Sequence, residues 1–215
     1  MRVAGLILGV FGFAGCATGA RIEGGGDGVD SGTATSLVID SAESCDEVTT
    51  QLLVNGNFDA TPLASGWIET RIADEFSLIT ADAVADTAPN LAWLGGLAQA
   101  NANDQLVQDV AIPARTSALA LTGLLDVRTN ETGAVVRDTA TVALTRLDNT
   151  PIETALSTDN TRATTDWTPL TYAFSVADLS GQTFRFKIAS SNNATANSST
   201  SFFFDNLSLV ATHCR

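Results

Sequence analysis

The sequence predicts an all-β protein, a two-sheet antiparallel jelly-roll sandwich after a signal peptide and a flexible tether. Three observations carry this prediction. Apolar residues beyond position 45 recur at every second residue, the period of a half-buried strand. Turn signals cut that alternation into about nine or ten short runs, the pattern of a sandwich or barrel. Cysteines stand at both ends of the alternating region, and adjacent ends favour the jelly roll.

The chain opens "MRVAGLILGVFGFAGCATG", with one cation at Arg2, an apolar run from Val3 to Phe13, and then small residues. This reads as a secretory signal, its apolar core too short to span a bilayer. The tetrapeptide "FAGC" resembles the processing site of bacterial lipoproteins, with Phe13 where Leu is usual. The resemblance implies cleavage after residue 15 and a diacylglycerol on Cys16; an ordinary signal peptide with an incidental cysteine is the alternative. Ala17 rather than Asp follows that cysteine, which by the same resemblance implies an outer-membrane address in the bacterial envelope. Residues 16–44, rich in Gly, Ser, Thr and Asp, have too little periodic apolar content to pack and read as a tether. Residues 45–215 are the domain, long enough for a substantial core.

Within the domain each run assigns its own faces. In "DQLVQDVAI", Leu106, Val110 and Ile112 share a face with Gln108; in "ALALTGLLDV", Leu119, Leu121, Leu125 and Val127 share one with Gly123. "TVALTRL" sets Val142 and Leu144 against Thr141, Ala143 and Thr145. "TFRFKIA" turns Phe184, Phe186 and Ile188 inward and Arg185 and Lys187 outward. Ser190 to Ser201, "SSNNATANSSTS", is small and polar throughout and reads as an exposed connection before the last strand.

With Cys16 assigned to lipid, Cys45 and Cys214 remain as an even pair in an oxidising compartment. A bridge between them requires the first and last strands to be neighbours; two free thiols are the alternative.

The net charge of −13 repels phosphate backbones and anionic headgroups, so nucleic acid is excluded and membrane contact is left to the lipid anchor. His213 is the one histidine, beside Cys214. No Ser-His-Asp, Cys-His or zinc arrangement is built around it, and no carboxylate pair is marked by its spacing. The reading is therefore a binding protein, not an enzyme.

Near the start of the domain stands "LLVNGNFDATPLASGW" and near its end "FFFDNLSLV", with "AWLGGLAQANANDQLVQDVAIPA" between them. Together these resemble the galactose-binding-like jelly rolls that include bacterial carbohydrate-binding modules, Asp59 standing where Glu is usual. The resemblance implies a glycan ligand, and a structural calcium held by Asp59 and Asp205 with backbone carbonyls. Alternation places Asp205 on the inward face of Leu207 and Leu209, where it needs either that cation or backbone amides or Asn55 as partners. Trp67 and Trp93 fall where the family packs its core. Trp167 and Tyr172 are left as candidates for stacking on sugar. The expected protein is thus a lipid-anchored extracytoplasmic module binding a polysaccharide or cell-surface glycan. An adhesion or scaffold protein that contacts an envelope protein is the alternative.

Overall fold

The computed structural model describes residues 45–71, 76–82, 84–97, 100–193 and 198–215, which belong to one compact unit, 43–215. The signal segment, Cys16 and the tether lie outside the described residues. One sheet runs β3 (Ile79–Ala81), β4 (Asn90–Gly95), β11 (Thr200–Cys214), β6 (Thr116–Thr129), β9 (Thr168–Phe174), with β1 (Glu47–Gln51) also paired to β11. The other runs β2 (Ile68–Thr70), β5 (Ala100–Ala111), β10 (Thr183–Asn193), β7 (Thr139–Thr145), β8 (Pro151–Asp159). Every pairing is antiparallel. From β4 onward the chain changes sheet at each connection except the β7–β8 hairpin, which is jelly-roll winding.

The alternation seen in the sequence places the core. On β10, Phe184, Phe186 and Ile188 are buried while Arg185 and Lys187 between them are partly exposed. Arg185 forks onto Asp109, directly opposite on β5, at 2.7 and 3.1 Å. Leu106, Val110 and Ile112 are buried, and so is Gln108. Its amide donates to Val54 O at 3.0 Å and accepts from Val54 N at 2.7 Å, so the one polar member of that row is satisfied. Leu119, Leu121, Leu125 and Val127 line the facing sheet, and Trp67 packs between Phe58 (5.6 Å) and Phe186 (6.2 Å). On β7 both faces are covered, Ala143 and Thr145 as well as Val142 and Leu144. This strand is interior to its sheet, between β10 and β8.

The two ends of the domain meet as the cysteines require. β1 pairs with the last residues of β11, Glu47 opposite Cys214, and Cys45 and Cys214 form a disulfide with Cα atoms 5.1 Å apart. β4 and β1 share one edge of β11, at residues 201–204 and 210–214, and β6 takes the other edge.

Two expectations about faces are corrected. Asp205 does not share the inward row of Leu207 and Leu209. Asn206 adopts a left-handed φ of 52°, and the register with β6 steps from Asp205↔Leu124 to Ser208↔Thr122. Three residues of β11 thus advance against two of β6, a β-bulge that inverts the alternation. Phe202 and Phe204 face the core before it and Leu207, Leu209 and Ala211 after it, so Asp205 stands opposite the Phe202–Phe204 row. The second correction concerns Ser190 to Ser201. Strand β10 continues through Asn193 and β11 begins at Thr200, with Ser190, Asn192 and Thr200 buried; residues 194–197 lie outside the described residues.

Candidate functional site

The opening and closing motifs form one joint. Asn55 (φ 55°) and Phe58 (φ 61°) turn the chain tightly, and a buried aromatic residue holds that left-handed conformation only when its surroundings enforce it. Here the Asn55 side chain accepts from Ala60 N (2.8 Å) and donates to Leu63 O (2.6 Å), while Trp67 Nε1 donates to Asn55 O at 3.0 Å. The turn docks on β11, with Leu207 N donating to Gly56 O at 2.8 Å.

The two carboxylates expected to share a cation have separate partners. Asp59 Oδ1 accepts from Asn90 N (3.3 Å) and Asn90 Nδ2 (3.1 Å), and its Oδ2 from Asn57 Nδ2 (3.2 Å). Asp205 is fully buried and accepts from Thr87 N (3.0 Å) and Asn206 N (2.7 Å). Backbone amides are thus its partners. The Thr87 hydroxyl has a single proton but lies 3.1 Å from Asn206 Oδ1 and 3.3 Å from Asp205 Oδ2. Asp86 reaches the same place through Asn206 Nδ2, at 3.1 Å. Burial pushes the Asp205 carboxyl above the usual carboxylate range; the Thr87 and Asn206 hydrogen bonds oppose this, and the Asp86 charge adds to it. Carboxylate, hydroxyl and amide oxygens gathered in one place are the donor types that calcium takes. Among the described residues no three Asp, Glu, His or Cys side chains converge as a metal cluster.

Trp167 and Tyr172 do not form one platform. Trp167, just before β9, is partly exposed, and its indole donates to Val84 O at 2.9 Å. Tyr172 lies five residues on, in the row of Leu170 and Phe174, its ring 5.0 Å from Phe174. Its hydroxyl bonds Glu153 of β8 at 2.8 Å, which raises its pKa. Tyr172 borders a shallow depression with Ala120, Leu121 and Thr171. His213 bonds Thr50 Oγ1 at 3.0 Å.

A deeper cleft lies elsewhere, and Trp93 is in it. Ala92 and Leu94 take the core face of β4, which puts Trp93 on the other face. Trp93 is partly exposed and lies against Phe203, its partner on β11, with ring centroids 5.4 Å apart. The Arg128 guanidinium sits over Phe203 at 5.6 Å and pairs with buried Asp126 at 2.8 Å. Gly96 (φ 77°) lets the chain pass close to the indole, where a Cβ would overlap it. The cleft holds about 420 Å³ between the edge strands of the two sheets, lined by Trp93, Phe76, Arg71, Ser77, Leu97 and Asp104 among others. Phe76 is 60 % exposed. Glu69 of β2 fixes one wall, accepting from Ser77 Oγ (2.9 Å) and Leu78 N (3.1 Å) and pairing with Arg71 at 3.6 Å. Asp104 ties β5 to β4 by accepting from Gly95 N at 2.9 Å. The expectation that Trp93 packs the core is therefore corrected. In "NLAWLG" both alternating rows are apolar, so the sequence does not say which one faces inward.

No family model matches the chain, and no curated protein does. Among solved structures, the chain is similar to a carbohydrate-binding module in complex with β-1,4-galactotriose, at 10 % identity over 74 % of this chain and 97 % of that one, TM-score 0.48. A carbohydrate-binding module described for specific mannan recognition matches at 10 % identity over 77 % and 98 %, TM-score 0.47. An adhesin domain of Lys-gingipain from Porphyromonas gingivalis matches at 12 % identity over 76 % and 99 %, TM-score 0.45.

Proposed function

We propose that this protein is a non-catalytic glycan-binding module that takes its ligand in the Trp93 cleft. The observation that carries this reading is the composition of that cleft. The indole of Trp93 and the exposed ring of Phe76 offer flat apolar faces to sugar C–H groups. Arg71, Ser77 and Asp104 stand beside them where hydroxyls need directional partners. The cleft volume of about 420 Å³ falls in the range of small-ligand sites. On a polysaccharide array followed by calorimetry, Trp93→Ala should weaken binding roughly tenfold, about 1.4 kcal/mol, and Phe76→Ala should weaken it less. Trp167→Ala and Tyr172→Ala should leave it unchanged. The reverse pattern would move the site to the β9 surface. Capture of an envelope protein with no glycan binding would favour the scaffold reading.

The protein is placed on the outer membrane by a lipid on Cys16, and supporting this is the "FAGC" tetrapeptide behind an apolar signal. Wild type should then partition into detergent and Cys16→Ala should not.

A structural calcium is assigned to the Asp205 pole, with Thr87 Oγ1 and Asn206 Oδ1 as neighbouring oxygens and Asp59 on the adjoining turn. Supporting it are the crowding of those oxygens and the raised Asp205 pKa. A raised carboxyl pKa in the fold contributes stability below the ordinary value, about 4, and loses it as pH rises through the shifted value. In chelator, wild type should therefore lose stability relative to Asp205→Asn as pH rises from about 4 through the shifted value. Calcium should abolish the difference. Identical curves with and without calcium would leave Asp205 as an acceptor for Thr87 and Asn206.

A further inference from the structure

One end of the inner face of the second sheet is polar, and three of its buried oxygens lack a hydrogen-bond partner. On β10 the inward row Phe184, Phe186, Ile188 continues as Ser190 and Asn192, which are 4 % and 0 % exposed. Ser190 pairs with Asp104 on β5, which is 3 % exposed. Ser191 pairs with Thr139, so one step further Asn192 stands opposite Asp138, which is fully buried. Side chains directly opposite on one face have Cβ atoms about 5 Å apart. Three oxygens in this patch, Asp138 Oδ2, Asn192 Oδ1 and Ser190 Oγ, are buried without a hydrogen-bond partner. The Ser190 hydroxyl has the only proton among them.

The partners that do exist hold this frame in place. Asp138 Oδ1 accepts from Asn193 N at 2.9 Å, which fixes the carboxylate beside the end of β10. Asn160 Oδ1 accepts from Asp138 N at 3.2 Å. Asn192 Nδ2 donates to Thr200 O at 3.2 Å across the sandwich, so its Oδ1 is the free end of an amide whose orientation is set. Glu131 Oε2 is another unpartnered buried acceptor, and its backbone N donates to Thr129 Oγ1, itself bonded to Thr200. Among the described residues no Lys or Arg pairs with Asp138.

We propose that Asp138 Oδ2, Asn192 Oδ1 and Ser190 Oγ form a binding site for a hard divalent cation of calcium's kind, separate from the Asp205 pole. A carboxylate, an amide oxygen and a hydroxyl are the donor types such an ion takes, and main-chain carbonyls and water complete its shell. A trapped water would supply two protons to these acceptors but would leave the buried Asp138 carboxylate without a counter-charge. A cation answers both the missing donors and the charge. The site lies toward the start of β11, with Asn192 on Thr200, whereas Asp205 lies five residues further along the same strand.

The test uses the mature chain stripped with chelator and titrated with calcium chloride, by calorimetry and by thermal melts. In Asp205→Asn, calcium should still bind and raise Tm. Adding Asp138→Asn should remove that response, and adding Ser190→Ala instead should weaken it roughly tenfold. Ser190→Ala keeps the proposal testable if Asp138→Asn does not fold. Absence of calcium binding in Asp205→Asn would overturn the proposal, as would binding that Ser190→Ala and Asp138→Asn leave unchanged. Either result would assign the chamber to ordered water.

Discussion

Replacing Cys45 and Cys214 by serine should cost about 5 kcal/mol and lower Tm by roughly 10–20 °C. The bridge closes a loop of sequence separation 169, so its removal returns much chain entropy to the unfolded state. Little in the fold offsets that loss locally. β1 is five residues long, all of them exposed or only partly buried, and it holds to β11 by main-chain pairing with few apolar contacts. Guanidinium melts of wild type, of the double serine variant and of reduced wild type measure the effect, and the last two should coincide. A loss under about 1 kcal/mol would mean that β1 holds its place on β11 without the covalent link.

Gly56→Ala should be as damaging, costing at least about 3 kcal/mol or preventing folding. A Cβ at Gly56 would fall on the Leu207 carbonyl oxygen, and Leu207 N is the group that donates to Gly56 O. Both sides of the contact are main chain, so no rotamer change relieves it. The displaced turn carries fully buried Phe58, which packs on Trp67, so the clash propagates into the core. Gly133→Ala is the control: φ there is 94° but a Cβ would meet nothing within 4 Å. That substitution should cost about 1–3 kcal/mol, from backbone strain alone. Equal losses in the two variants would refute the steric account.

The features read correctly from sequence have short-range physical causes. Alternation over five residues suffices to turn Phe184, Phe186 and Ile188 inward, because inverting that register would bury Arg185 and Lys187. Two cysteines at the ends of the alternating region suffice to make β1 and β11 neighbours. The misreadings come from features that short-range pattern does not determine. A bulge is set by one residue's φ, and Asn206 tolerates φ 52° without announcing it; assuming unbroken alternation moved Asp205 to the wrong face. Trp93 sits between two apolar rows, and the choice of inner row belongs to the whole sheet. Ser190 and Asn192 look like loop residues because a polar inward row has no hydrophobic signature. Their burial is visible only once β10 is paired with both β5 and β7. The cleft itself joins Arg71, Phe76, Trp93 and Asp104 from separate strands and connections, a proximity that only the fold creates.

The Cys45–Cys214 bridge also determines how the domain bears mechanical load. A pull delivered through the segment before Cys45 reaches a disulfide before it reaches any hydrogen bond. Without the bridge it would peel β1 from β11 one pair at a time, beginning at Glu47↔Cys214. With the bridge, β1 is bypassed and tension enters the C-terminal end of β11. That strand is fifteen residues long, flanked on one edge by β6 and on the other by β4 and β1, and it carries Phe203 beneath Trp93 in the cleft. Force between the residues before Cys45 and the Trp93 cleft would therefore run along a central strand as shear, shared by many hydrogen bonds at once. A domain wired this way resists such a pull by shear instead of by peeling.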